Sequence, residues 1–227
     1  MESAAGSKGH YYGLRPKEFA KMLTDMGLKL RSSHVMVGAT GPRTAVQTLQ
    51  HDMQQLVDMA AESGQSYLTC AYLMPEERKT IDQYKRYAEL FNKADEACRK
   101  AGLTFAYHNH DFEFEKLDGQ VPYNLLLAQT KIKMELDLYW AVKSGNDPVA
   151  LFKKYPGRFE MWHVKDMDKT ERKFFTEVGN GTIDFKKIFA AAPTAGLKYY
   201  FVEQDQTPGD PLLSITTSYR NLNKILA

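Results

Sequence analysis

Two histidines stand two residues apart in Ala106-Tyr107-His108-Asn109-His110-Asp111-Phe112-Glu113. On an extended chain, side chains two apart project to the same side. The run Gly102-Leu103-Thr104-Phe105 before them reads as a buried strand, so the pair sits at its C-terminal exit. Acidic residues follow at Asp111 and Glu113. Such a cluster can hold a divalent cation, or hold and move protons near neutral pH. A single histidine there is more often an ordinary solvated strand end. The cluster becomes a site only if matching groups end other strands. They do: His34, Asp137, His163, Lys165 and Glu203 fall at or near the ends of other apolar stretches.

The elements that must position these residues can be read in order. A short stretch at residues 2–5 reads as a strand stub. Pro16 opens a helix with Phe19, Leu23 and Met26 on one face, stopped at Gly27. Further strands are expected over 28–37, 65–73, 103–110, 131–139, 158–164 and 197–204. Helices are expected from about Arg43 to Ser63, from Pro75 to Gly102, from Pro122 to Gln129, after Asp147-Pro148, over 183–192 and after Asp210-Pro211. The last helix is expected to bury Leu212, Ile215, Tyr219, Leu222 and Ile225. This β-α alternation means a parallel sheet covered by helices. No Gly-x-Gly-x-x-Gly follows a first strand, which counts against a dinucleotide fold. Polar residues drawn from the ends of several strands favour a single-domain α/β fold of the (β/α) barrel, or TIM barrel, kind, because an open sheet concentrates them at one switch point. The strand faces agree. Met161, His163 and Lys165 oppose Trp162 and Val164; Glu135 and Asp137 oppose Leu136; Phe201 and Glu203 oppose Tyr200 and Val202.

Composition narrows the partners. The 227 residues carry a net charge of only +2, so no polybasic field points to nucleic acid or to an acidic membrane. No apolar run approaches the roughly 20 residues that cross a bilayer, and no basic-then-apolar leader opens the chain. The default compartment is cytoplasmic, with periplasmic or secreted open should a segment precede Met1. Two cysteines, Cys70 and Cys98, fall in a strand and a helix and read as small core residues.

Several motifs resemble the sugar phosphate isomerase/epimerase family, the xylose isomerase-like TIM barrels. They are the 107–114 stretch, Glu135-Leu136-Asp137-Leu138-Tyr139-Trp140, His163-Val164-Lys165-Asp166-Met167, Val178-Gly179-Asn180-Gly181-Thr182-Ile183-Asp184-Phe185 and Val202-Glu203-Gln204-Asp205. The resemblance implies one divalent ion (manganese, zinc, cobalt or magnesium) held by donors from four strands. It assigns three of these to Asp137, His163 and Glu203. The first position, usually Glu, falls at about His108, with His110 or Glu113 as alternatives. A histidine there favours a softer transition metal. Where many members place a substrate-binding histidine three residues after the Asp, this chain has Trp140, which can stack on a sugar ring. Against the family's eight strands, the chain reads as short by roughly one β-α unit at its N-terminus, and an unpaired edge strand would favour a homo-oligomer.

The chemistry implied is proton removal next to a carbonyl of a keto-sugar or related polyol. Glu203 is the expected base, His108 or His110 its partner acid, and Lys165 an oxyanion stabiliser. His34, Glu113, Trp140 and Glu177 are expected to bind substrate. Isomerisation or epimerisation is one outcome. Elimination by a lyase or hydratase on a 3-keto-glycoside or keto-inositol shares the first step. A non-catalytic sugar-binding barrel is the reading from another class. A three-zinc nuclease of the same fold is disfavoured by only six histidines and the weak charge. Gly179-Asn180-Gly181 reads either as a phosphate cradle or as a plain turn before a helix.

Overall fold

The computed structural model describes residues 1–4, 9–38, 47–207 and 209–227. The chain forms two compact units: Met1–His108 with Glu115–Lys133, and Asn109–Phe114 with Met134–Ala227.

The first unit runs β1 (Glu2–Ala4), α1 (Pro16–Asp25), β2 (Ser32–Met36), α2 (Leu49–Glu62), β3 (Tyr67–Tyr72), α3 (Ile81–Lys100), β4 (Thr104–His108) and α4 (Pro122–Gln129). Its four strands pair in parallel in sequence order. Parallel strands need helical crossovers, and the helices then cover the apolar strand faces. Phe91 of α3 does this, lying 5.6 Å from the Phe105 ring and 5.3 Å from that of Tyr107.

The second unit continues from β5 (Lys133–Asp137), whose first residue lies at the junction. There follow α5 (Leu138–Lys143), α6 (Pro148–Lys154), β6 (Met161–Val164), β7 (Asp166–Met167), β8 (Phe175–Thr176), α7 (Phe185–Ala190), α8 (Ala192–Ala195), β9 (Tyr199–Val202) and α9 (Pro211–Leu226). Strands β5, β6 and β9 are parallel, with Asp137 opposite His163 and His163 opposite Phe201. The expected division of faces holds. Trp162 points to the helices, stacked at 5.0 Å on Phe152 of α6 and edge-on at 5.2 Å to Phe189 of α7. His163 points the other way.

Four elements depart from the sequence reading. The helix expected from Pro75 is a single 3-10 turn, Pro75–Glu77, and α3 starts only at Ile81. Thr80 caps it by accepting from the Gln83 N–H while the Gln83 side chain accepts from the Thr80 N–H. That reciprocal box outcompetes the Pro-Glu-Glu start signal. Part of the helix expected from Arg43 falls outside the described residues; α2 begins at Leu49, because Thr48 is extended and bridges to Met36. The strand expected to reach Tyr139 stops at Asp137, which turns directly into α5. Part of the polar loop after β6 pairs as the antiparallel β7 and β8.

A fifth difference concerns the face of α9. Leu212, Ile215 and Tyr219 are 75%, 53% and 67% exposed, while Leu222 is 4% exposed and Ser214 and Ser218 are buried beside it. The helix turns its serines inward because they have partners there: the Ser214 hydroxyl lies 3.0 Å from Glu177 Oε1 and 2.9 Å from Gln204 Oε1, with one proton to donate between them, and Ser218 accepts from the Val178 N–H. Among the described residues, no helix is long and apolar enough to cross a membrane.

Candidate functional site

Three strand ends of the second unit supply the centre. Asp137 ends β5 and caps α5, its Oδ1 accepting from the Trp140 N–H at 3.0 Å. Its own N–H donates to Asn109 Oδ1 at 3.1 Å. Gripped on both sides, the carboxylate has one oxygen in the cap and turns Oδ2 toward its neighbours, 3.1 Å from Lys165 Nζ and 4.0 Å from His163 Nδ1. His163 lies within β6 with a carboxylate at each ring nitrogen: Glu203 Oε2 at 2.9 Å from Nδ1 and Glu135 Oε2 at 3.5 Å from Nε2. Glu203 follows β9, where its N–H extends the β6 pairing by donating to the Val164 carbonyl. Lys165, only 1% exposed, reaches Glu203 Oε2 at 2.8 Å and both oxygens of Asp205 at 2.9 Å.

Charge is what makes this burial tolerable. An isolated buried ammonium or carboxylate costs far more than its contacts return, so such groups must be paired. Burial pulls the Lys165 pKa down, but the carboxylates of Asp137, Glu203 and Asp205 outweigh it and hold the ammonium well above its ordinary value. Burial likewise pushes the Glu203 carboxyl up, yet the hydrogen bond and charge of His163 and the Lys165 ammonium hold it well below the usual carboxylate range. Glu203 is therefore ionised and, undisturbed, a weak base.

The other expected residues divide. In the second unit, His110 stacks on Phe112 at 5.4 Å and meets Trp140 at 5.6 Å. Trp140 also lies 5.9 Å from the Phe175 ring, with Lys165 Nζ 5.9 Å from its centroid, so it forms an aromatic wall beside the charged cluster. Glu113 is fully buried and accepts from the His110 N–H at 2.8 Å, building the loop after β4. Glu177 is tied to Ser214, Thr176 and Asn180. In the first unit, His34 pairs with Glu2 at 2.9 Å and its ring lies 5.4 Å from that of His108, whose Nδ1 is 3.3 Å from the Ala71 carbonyl. Both cysteines are buried thiols, and burial pushes Cys98 up to about 12, well away from nucleophile chemistry.

The Gly179-Asn180-Gly181 loop wraps a side chain of the protein itself. Gly179 N–H and Gly181 N–H donate to Asp166 Oδ2 at 2.9 and 3.0 Å, and Met167 N–H and Ile183 N–H donate to Oδ1 at 2.8 and 3.2 Å. The donors a phosphate would need are engaged by this carboxylate. Both glycines are required. Gly179 has φ +86 and a Cβ there would meet Asn221 at 2.9 Å, while a Cβ on Gly181 would collide with Asp166 Oδ1 and the Met167 carbonyl.

Sequence reasoning gave no role to Glu135, Asp205, Asp166 or Phe175. Glu135 had a usable signal, since it lies two residues from Asp137 on the same strand face, whereas Asp205 lies beyond the end of β9. Asp166 and Phe175 had none, because their roles come from loop closure.

An imidazole nitrogen and two carboxylate oxygens, from Asp137, His163 and Glu203, lie within 4.8 Å of one another. Donors bonded at about 2.0–2.2 Å to one ion stand roughly 3–4 Å apart, so the three residues could hold one metal ion. Comparison with known proteins gives the family and the fold. The family model described as "Xylose isomerase-like TIM barrel" matches residues 2–213. A sugar phosphate isomerase/epimerase structure from Parabacteroides distasonis superimposes with TM-score 0.82 and 29% identity, covering 98% of this chain and 86% of that one. The inosose dehydratase of Lacticaseibacillus casei is 25% identical over an alignment of 179 residues that covers 70% of this chain and 60% of that enzyme. The chain thus spans less than two thirds of that relative. The fold is also that of the IOLI protein, solved with a bound zinc atom, at TM-score 0.71 and 12% identity, covering 95% of this chain and 82% of that one.

Proposed function

The chain belongs to the xylose isomerase-like TIM barrel family, and on that premise we propose that it is a metal-dependent sugar isomerase or epimerase. It would act by removing a proton next to the carbonyl of a keto-sugar or related polyol. The observation that carries this reading is the convergence of Asp137, His163 and Glu203 around a single point, beside the buried ammonium of Lys165. These three residues would hold one divalent cation. His108 enters as a fourth donor from the sequence pattern alone. A bound cation would polarise the substrate carbonyl.

The residues of this chain do the rest. Lys165 donates to Glu203 Oε2, which also lies 2.9 Å from His163 Nδ1, and Oε1 would take the α-proton. Glu135 orients the His163 ring from its far nitrogen, the usual second partner of a ligating histidine. Trp140 offers an apolar wall for a sugar face. His110, on the same wall, would return a proton. His34, Glu113 and Glu177 remain proposed substrate contacts from the sequence pattern.

Elemental analysis of the purified protein tests the reading. One equivalent of metal that disappears in Asp137→Asn supports it. A folded protein with no metal supports a sugar-binding role instead. Elimination is the second reading, favoured by the relatives named inosose dehydratase. Water loss from a keto-inositol, seen as a new conjugated absorbance, would select it over epimerisation.

A further inference from the structure

We propose that Lys165 is a built-in competitor for the metal position, resting on the metal reading above, and that Asp205 is the anion to which it withdraws when a cation enters. Its ammonium lies 3.1 Å from Asp137 Oδ2 and 2.8 Å from Glu203 Oε2. Those are the oxygens nearest His163 Nδ1, at 4.0 and 2.9 Å. A dication held by His163, Asp137 and Glu203 would need the same oxygens and would stand beside a like charge.

The ligands do not need the lysine to place them. Asp137 is fixed by the Trp140 N–H and Asn109 Oδ1, and His163 is flanked by Glu135. What Lys165 adds at Asp137 is therefore charge, not orientation. It also already has somewhere to go. Both Asp205 oxygens are 2.9 Å from Nζ, so the ammonium can give up two carboxylates and keep a two-point partner. The arrangement lets the buried Asp137 carboxylate and the half-buried Glu203 stay neutralised before the metal arrives, at the expense of affinity once it does.

The test is the Zn2+ affinity, measured by competition with a chromophoric chelator, in the wild type, Lys165→Met, Asp205→Asn and the double variant. Lys165→Met is expected to bind about tenfold or more tightly, because a competing charge is gone. Asp205→Asn is expected to bind about tenfold more weakly, as the ammonium loses its alternative anion. In the Lys165→Met background the Asp205 substitution should change affinity little, because Asp205 acts through the lysine. Equal or weaker binding by folded Lys165→Met overturns the proposal. Should that variant not fold, Asp205→Asn binding as tightly as the wild type overturns it. Failure of the metal reading looks different: the wild type takes up no stoichiometric Zn2+, or Asp137→Asn binds as well as it does.

Discussion

Each carboxylate in the cluster has a separable job, and single substitutions distinguish them. In the proposed reading, Asp137 and Glu203 would hold the ion directly. Glu135 acts through His163 Nε2 at 3.5 Å. Glu135→Gln is therefore expected to weaken Zn2+ binding by about 10- to 100-fold without abolishing it, as chelator competition would read. Affinity equal to the wild type would show that Glu135 is only a buried structural acid. Asp137, His163, Glu203 and Lys165 were legible as residues because two-residue periodicity puts each on its strand's polar face. The pairing of Lys165 with Asp205 was not legible. It depends on two loops after different strands, 40 residues apart.

At the element scale, loops and helix faces are governed by which backbone donors find an acceptor. Asp166 gathers four N–H groups from the segments around it. Asp166→Asn puts an amide N–H2 against those donors and is expected to cost about 2–3 kcal/mol in urea unfolding. A loss under half a kcal/mol would mean water replaces the carboxylate. The α9 face gives the opposite case. Leu212→Glu, Ile215→Glu and Tyr219→Glu should each stay within about 0.5 kcal/mol of the wild type. Leu222→Ala should lose about 2–5 kcal/mol. The reverse ranking would restore the face expected from sequence. Apolar spacing alone chose that face, and it misled because Ser214 and Ser218 are inside for their hydrogen bonds. The boundaries that moved, at Thr80, Thr48 and Asp137, moved for the same reason, a cap or a bridge that propensity does not weigh.

For the whole molecule, the β-α alternation and the polar strand ends were enough to reach the barrel fold class, and the resemblance of the motifs supplied the family. Position along the chain and face of each strand are encoded locally, whereas side-chain partners across loops are not. A metal seated on ligands from β5, β6 and the end of β9 should stabilise the fold by mass action, about 2.7 kcal/mol at a hundredfold excess over Kd. That corresponds to a rise of roughly 5–10 °C in Tm for a chain of this size, lost on adding chelator and absent in Asp137→Asn. The most direct test of the central claim is isotope exchange. The protein loaded with one equivalent of Zn2+ or Mn2+ is incubated with keto-sugars and keto-inositols in deuterated water, and the carbon next to the carbonyl is followed by NMR. Metal-dependent deuterium incorporation into at least one of them, lost in Glu203→Gln and after chelation, is the predicted result; a folded, metal-loaded protein that leaves every one of them unexchanged would contradict it.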